Sequence, residues 1–206
     1  MNKEGLRKLA TAGPLTMLVP PGAYTVKLIA GGVERSGTLT VRKDPNTSGT
    51  EEDVAAQSKT MLAIRDAMTT AARTINTAES VRAQLAAWRS LVGADAPKEV
   101  KSAADDLEKQ IVDVESRLYN MTATGRGQDF LRTPSQLVEK LSHLADVVSY
   151  ADFAPTNSQI EVRDKLAQEL AHDREQMDGV LARTLASFNA LLKERQLGTI
   201  VVSPSK

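Results

Sequence analysis

The two histidines of this 206-residue chain each have a glutamate close by in sequence. Glu169 and His172 form a Glu-x-x-His pattern, which helical bundles use to hold two metal ions, and Glu139 precedes His143 by one helical turn. Such a site needs the pattern on two helices, but Lys140 occupies the matching position before His143. We therefore favour solvated helix faces over a metal site for both histidines.

Other catalytic patterns are also incomplete. The acidic runs at 51–53 and 105–106 consist of neighbours, which diverge by about 100° on a helix and cannot flank a cleft as glycoside hydrolysis requires. No Gly-x-Ser-x-Gly motif occurs, and residues 125–129 lack the Lys-Ser/Thr of a phosphate-binding loop. Trp88 lies on an apolar stripe and is expected in the core. The sequence predicts no catalytic residue, no cofactor and no metal site.

The composition excludes several classes of partner. The 26 basic and 26 acidic residues give a net charge of +0, which argues against a dedicated nucleic-acid binder or a polybasic membrane surface. Cysteine is absent, so disulfides and thiolate sites are excluded. No apolar run is long enough for a membrane-spanning helix. We expect neither a nucleic-acid nor a membrane partner.

Four segments carry apolar residues at alternating three- and four-residue spacing, which predicts amphipathic helices. The first covers residues 50–92 and would be about 60 Å long. The second begins near Pro97, the third near Thr133, and the fourth runs from Thr156 or Ser158 to about Gln196. The second has a heptad seam at Val100, Ala104, Leu107, Ile111, Val114, Leu118 and Met121. These patterns predict a mainly α fold, an antiparallel four-helix bundle running up-down-up-down.

A short β segment precedes the helices. Tyr24, Val26 and Leu28 alternate with polar residues, Leu39 and Val41 repeat the alternation, and Gly31-Gly32 provides a turn. Two or three strands are too few for independent stability. Either the helices cover this hairpin or further strands lie in sequence that is not present here.

The chain divides into an irregular leader (1–14), the β segment (15–43), a linker (44–49), the helical bundle (50–197) and a tail (198–206). An even number of antiparallel helices returns the chain to the end where it entered. We therefore expect residues 200–202 to form a short strand against an edge of the hairpin.

The residues 19–28, Val-Pro-Pro-Gly-Ala-Tyr-Thr-Val-Lys-Leu, and 39–45, Leu-Thr-Val-Arg-Lys-Asp-Pro, resemble the closing strands of an Ig-like domain. That domain stands near the C-terminus of large bacterial proteins with sortilin-like or BNR-repeat β-propellers, which are often labelled glycosyl hydrolases. The motifs that follow are similar in order: Leu-Ala-Ile-Arg-Asp at 62–66, Asp-Phe-Ala-Pro-Thr at 152–156 and Phe-Asn-Ala-Leu-Leu at 188–192. The resemblance covers residues 15–202.

The resemblance implies a non-catalytic C-terminal structural or interaction module, a partial Ig-like sheet joined to a helical bundle. Its partner would be the β-propeller of the parent protein, and its location extracytoplasmic (periplasmic or secreted). No catalytic residue carries over, because no propeller segment is present to match. Two alternatives stay open: part of a glycosyl hydrolase whose active site lies outside this chain, and a free-standing helical scaffold or adaptor.

Overall fold

The computed structural model describes residues 17–92, 96–123 and 128–202, so the leader 1–14, residues 125–127 and the last four residues lie outside the described chain. The expected fold class is confirmed: the chain is mainly helical, with a short antiparallel hairpin ahead of four main helical segments. The elements are β1 (Gly22–Ala30), β2 (Val33–Val41), α1 (Glu51–Val92), α2 (Lys98–Leu118), the single turn α3 (Asp129–Arg132), α4 (Leu137–Val148), α5 (Asn157–Gly179), a π-helical turn (Val180–Leu185) and α6 (Ala186–Glu194).

Side-chain caps fix two of the helix starts. Thr50 Oγ1 accepts a hydrogen bond from the backbone amide of Asp53 (3.1 Å), and the Asp53 carboxylate accepts one from the amide of Thr50 (2.9 Å). Thr156 and Gln159 make the same reciprocal pair at α5 (3.2 and 2.8 Å), so Thr156 is the cap and Ser158 lies inside the helix. These boxes satisfy amides that have no partner within the helix.

The second and third main helices lie end to end along the fourth. α5, the π-helical turn and α6 form one rod, whose contacts with α2 and α4 fall in reverse sequence order: Gln159 with Val147, Glu169 with Lys140, Asp173 with Arg117, Thr184 with Gln110, and Arg195 with Glu99. Both α2 and α4 therefore run antiparallel to this rod and in the same direction as each other.

The helix α1 also contacts α4 and α2 in reverse sequence order. Gln57, near the start of α1, donates to the carbonyl of Val148 (2.8 Å), whereas Arg82, further along, pairs with Glu115. The expected up-down-up-down order is thus wrong, although α1 with α2 and α4 with α5 do meet in antiparallel contacts. The physical reason is that α2 and α4, with 21 and 12 residues, together span roughly 50 Å and serve as one interrupted rod beside α1.

The tail consequently lies far from the hairpin. Ile200 is 4% exposed, and its amide and carbonyl both bond the side chain of Asn189 on α6 (2.8 Å each). Val201 makes a similar pair of hydrogen bonds with the side chain of Gln84 on α1. The expected strand at residues 200–202 is therefore wrong: in the described chain the sheet consists of β1 and β2, because an odd number of rods takes the chain to the end opposite its entry.

The core follows the predicted stripes. In α2, Val100, Ala104, Leu107, Ile111, Val114 and Leu118 are all buried, while Met121 is only partly so. In α4, Leu141, Leu144 and Val148 are buried, whereas Ala151, one turn further along, lies beyond the helix end and is exposed. One cluster of buried side chains runs through all three rods.

The hairpin projects from the bundle. Its register pairs Tyr24 with Leu39, Val26 with Gly37, Leu28 with Arg35 and Ala30 with Val33, around a turn in which Gly31 and Gly32 have φ of 57° and 78°. Directly opposite residues share a face. The predicted alternation is therefore confirmed, and these eight residues together with Gly22 and Val41 form what we call the apolar face. No helix in the described chain packs against the hairpin.

The base of the hairpin is attached to the end of the bundle where α1 begins. The Ser58 hydroxyl on α1 donates to the Leu18 carbonyl (3.4 Å). Gly49 is buried, and a Cβ there would lie 1.6 Å from the carbonyl oxygen of Asp152, so only glycine permits this close approach between the linker and the α4–α5 turn. Within the described residues, no helix is long and apolar enough to cross a membrane.

Candidate functional site

A polar cleft of about 450 Å³ opens where α2 ends and α4 begins, facing α5. It brings the Glu169 and His172 pair of α5 together with Asp173 and Gln176 of the same helix, Arg117 from α2 and Lys140 from α4. The gap between α2 and α4 makes room for these polar side chains. A continuous helix there would present an apolar stripe to α5 instead. This cleft is the candidate site.

Asp173 replaces an apolar residue in the stripe of α5 and is 5% exposed. Its carboxylate accepts a hydrogen bond from Arg117 Nε (2.7 Å), and the same guanidinium donates to the carbonyl of Asp113 (2.8 Å) and to the side-chain oxygen of Gln176. A buried carboxylate needs such a partner. Arg117 therefore explains the polar residue in the stripe as a structural contact between α2 and α5.

Gln176 links Arg117 to His172 across the cleft. Arginine only donates, so the Gln176 side chain presents its oxygen to Arg117 and its amide group to His172 Nε2, 2.7 Å away. Glu169 is 4.0 Å from Lys140. Glu169 and His172 thus each lie beside another side chain of the cleft, Lys140 and Gln176 respectively.

The second histidine is not brought into this cleft. His143 is exposed on α4, and the carboxylate of Glu139 caps backbone amides instead, accepting hydrogen bonds from Gln136 (3.0 Å) and Asn120 (3.2 Å). Among residues 17–92, 96–123 and 128–202, no group of three or more histidine and acidic side chains is arranged to hold a metal ion.

The acidic runs are separated as their helical positions imply. Asp105 pairs with Arg89 (2.7 Å), whereas Asp106 accepts from Gln110 (2.8 Å) on the same helix. Asp53 belongs to the cap of α1, and its hydrogen bond from the Thr50 amide lowers the pKa of its carboxyl. These acids stabilise helices and helix contacts. They do not form a facing pair.

A buried ionic cluster between α1 and α2 escaped the sequence reasoning. Glu115 is fully buried, pairs with Arg82 (2.8 Å) and lies 3.3 Å from the hydroxyl of Tyr119, which donates to it. Burial raises the pKa of the Glu115 carboxyl, and the charge of Arg82 opposes this rise. The available signal was the matched seven-residue spacing of Arg82 with Arg89 and of Glu108 with Glu115.

Trp88 lies in the core, as expected, 7% exposed and edge-on to Phe188 with ring centroids 5.6 Å apart. A second cleft, of about 280 Å³, lies at the junction of the hairpin base and the bundle. It is lined by Met17, Leu18, Gln57, Ser58, Met61 and Ser149, so this lining has no carboxylate and no aromatic ring.

No family model, no curated protein and no solved structure matches the chain. The resemblance to the C-terminal region of sortilin-like and BNR-repeat proteins therefore stays a prediction, which rests on residues 19–28, 39–45 and the motifs that follow them.

Proposed function

We propose that this chain is a non-catalytic structural or interaction module of a larger protein, in which strands outside the described residues complete the sheet of the hairpin. One observation carries the proposal. Leu28 (64%), Val33 (55%), Leu39 (52%) and Val26 (49%) lie exposed on one face of an isolated two-stranded sheet. Such a hairpin is marginally stable in water, and a contiguous apolar face of this kind typically marks an interaction site.

The parent protein that fits this module best is a large bacterial protein with a sortilin-like or BNR-repeat β-propeller. The motifs at 19–28 and 39–45 support this choice, since they coincide with β1 and β2 and the segments that flank them. The propeller would be the partner, and the location would be extracytoplasmic.

Two alternatives differ from this proposal in what they require. A module that completes the active site of a glycosyl hydrolase should offer an acidic cleft with aromatic rings at the junction of hairpin and bundle, and the residues that line the junction cleft supply neither. We expect no turnover of aryl glycosides by the chain. A free-standing scaffold or adaptor should have a hairpin that unfolds together with its bundle.

The proposal is tested by following the hairpin and the bundle separately. Amide hydrogen exchange measured by NMR reports residues 22–41, while helical ellipticity and Trp88 fluorescence report the bundle. We expect hairpin amides to be protected less than about tenfold, under conditions where core amides of α1 and α2 are protected at least about a thousandfold. The reason is that the hairpin has no packing partner.

Amides of α4 serve as the internal control, because α4 is short, with 12 residues, but is packed against both α1 and α5. Protection of α4 together with exchange in the hairpin supports the proposal. Equal protection of hairpin and bundle, with a single melting transition for all three probes, would overturn it in favour of a free-standing scaffold.

A further inference from the structure

The apolar face of the hairpin has a notch at Gly37 that favours a partner with a large apolar side chain. Gly37 stands opposite Val26 at the middle of the face, and a Cβ added to Gly37 would meet nothing within 4 Å. The glycine therefore leaves a notch between the side chains of Val26, Arg35 and Leu39. In sheets, an aromatic or large aliphatic side chain commonly covers a glycine of this kind.

The other face of the hairpin is mostly polar and exposed to solvent. It carries Thr25, Lys27, Glu34, Ser36, Thr38 and Thr40, and Lys27 and Glu34 form an ion pair across the strands (2.6 Å). Ile29 is the one large aliphatic residue on it. The hairpin thus has the two-sided pattern of a sheet that packs on one side only.

The edge of β2 indicates that the partner is made of strands. Natural edges are protected by lysine, proline, bulges or inward charges. Residues 36–41, Ser-Gly-Thr-Leu-Thr-Val, contain no charge and no proline, and β2 pairs with β1 alone among the described strands. Strands can extend the sheet at this edge and also fold a second apolar face over it, as in a β-sandwich.

The area of the apolar face argues against a second copy of this chain as a stable occupant. Two strands of nine residues cover roughly 30 Å by 10 Å, or about 300 Å². A stable interface between separate proteins buries about 800 Å² on each partner. A covalently linked partner needs less, because the link raises its effective concentration to about the millimolar range.

We propose that the apolar face is the docking surface for an apolar β-sheet on strands tethered to this chain, with a large apolar side chain of that sheet filling the notch at Gly37. This inference rests on the proposed function and specifies its partner: strands with aliphatic or aromatic residues at every second position, linked covalently to the module.

Two neighbouring residues provide a matched test. Leu28 on the apolar face is 64% exposed, and Ile29 on the opposite face is 70% exposed. We compare Leu28→Thr with Ile29→Thr in the full chain, using the neutral dye Nile red as the probe of apolar surface and light scattering after size exclusion to measure mass. We expect a monomer at micromolar concentration that binds the dye, with binding weakened about fivefold by Leu28→Thr and little changed by Ile29→Thr.

Two outcomes would overturn the inference. A dimer at micromolar concentration that Leu28→Thr dissociates would make a second copy the occupant. Equal dye binding by both variants would mean that the apolar face is not a distinct surface. Equal dye binding would leave the exchange difference between hairpin and bundle intact, and a dimer would be recognised by its mass, whereas failure of the proposed function would remove the exchange difference in a monomer.

Discussion

At the scale of single residues, the fully buried Glu115 governs how stability should depend on pH. Burial raises its pKa above the ordinary value of 4.5, so the folded chain holds this proton more tightly than the unfolded chain. The free energy of unfolding contributed by Glu115 is therefore highest below pH 4.5 and falls as pH rises through the folded pKa. A charged Glu115 needs Arg82 to offset its loss of water.

The substitution Glu115→Gln should remove this fall. At pH 7 we expect the variant to lie within about 1 kcal/mol of the parent chain or above it, since removing a buried charge relieves its desolvation. Urea unfolding between pH 4.5 and 8 measures the difference. Glu108→Gln, one heptad earlier, partly exposed and also beside Arg82, is the control for removing a carboxylate from α2. A loss of about 3 kcal/mol or more in Glu115→Gln at pH 7 would instead show that the pair with Arg82 outweighs desolvation.

The sequence could place Glu115 on α2 but could not show its burial. Its neighbour Val114 belongs to the heptad seam, and a seam position does not reveal how far the facing helix covers the next residue. The same reasoning applies to Asp173, which is an exception in the apolar stripe of α5 until Arg117 is seen beside it. Contacts between helices decide both cases, and a single stripe does not contain them.

At the scale of elements, caps and alternation were sufficient to predict most boundaries. Thr50 and Thr156 stand where the first and fourth helices begin, because capping residues act within one turn of their own helix. Pro97 directly precedes the second helix and makes no side-chain cap. The π-helical turn at Val180–Leu185 was not predicted, since its residues continue an ordinary helical pattern. The fourth helical segment is expected to run to about Gln196, whereas α6 ends at Glu194 and Gln196 takes the positive φ of 57°.

The cap of α5 gives a direct test of this local reasoning. Thr156→Ala removes the oxygen that accepts from the Gln159 amide and should lower the free energy of unfolding by about 1 kcal/mol. Ser158→Ala, at the other candidate position, should change it by less than about 0.5 kcal/mol. Urea denaturation monitored by helical ellipticity measures both. Losses of equal size would contradict the assignment of Thr156 as the cap.

At the scale of the whole molecule, the direction of the third main helix decides where the tail lies. Short connections force neighbouring helices to run antiparallel, but the segment between α2 and α4 is long enough to continue the chain in either direction. The sequence therefore predicts the number of main helices correctly but the direction of the third one wrongly. Only the contacts of α4 with Gln57 and Glu169 reveal that it continues the line of α2.

A distance measurement tests this arrangement. The chain has no cysteine, so Glu52→Cys and Val202→Cys provide two unique labelling sites, one at the start of α1 and one in the tail. Val201 bonds Gln84, which places the labels roughly 50 Å apart along α1 at 1.5 Å per residue. Resonance energy transfer between the labels should report that separation. An up-down-up-down bundle would bring them within about 20 Å, since packed helix axes are about 10 Å apart.

The uninterrupted course of α1 over 42 residues gives the module a fixed length. The hairpin stands at one pole of this rod, and the tail is fastened near the other by Gln84 and Asn189. A sheet docked on the hairpin, as we propose, and any group close to Val201 would therefore be held roughly 50 Å apart, with no interruption of α1 between them. In mechanical terms the bundle is a rigid spacer, and its length would set the minimum distance between two groups attached at its opposite ends.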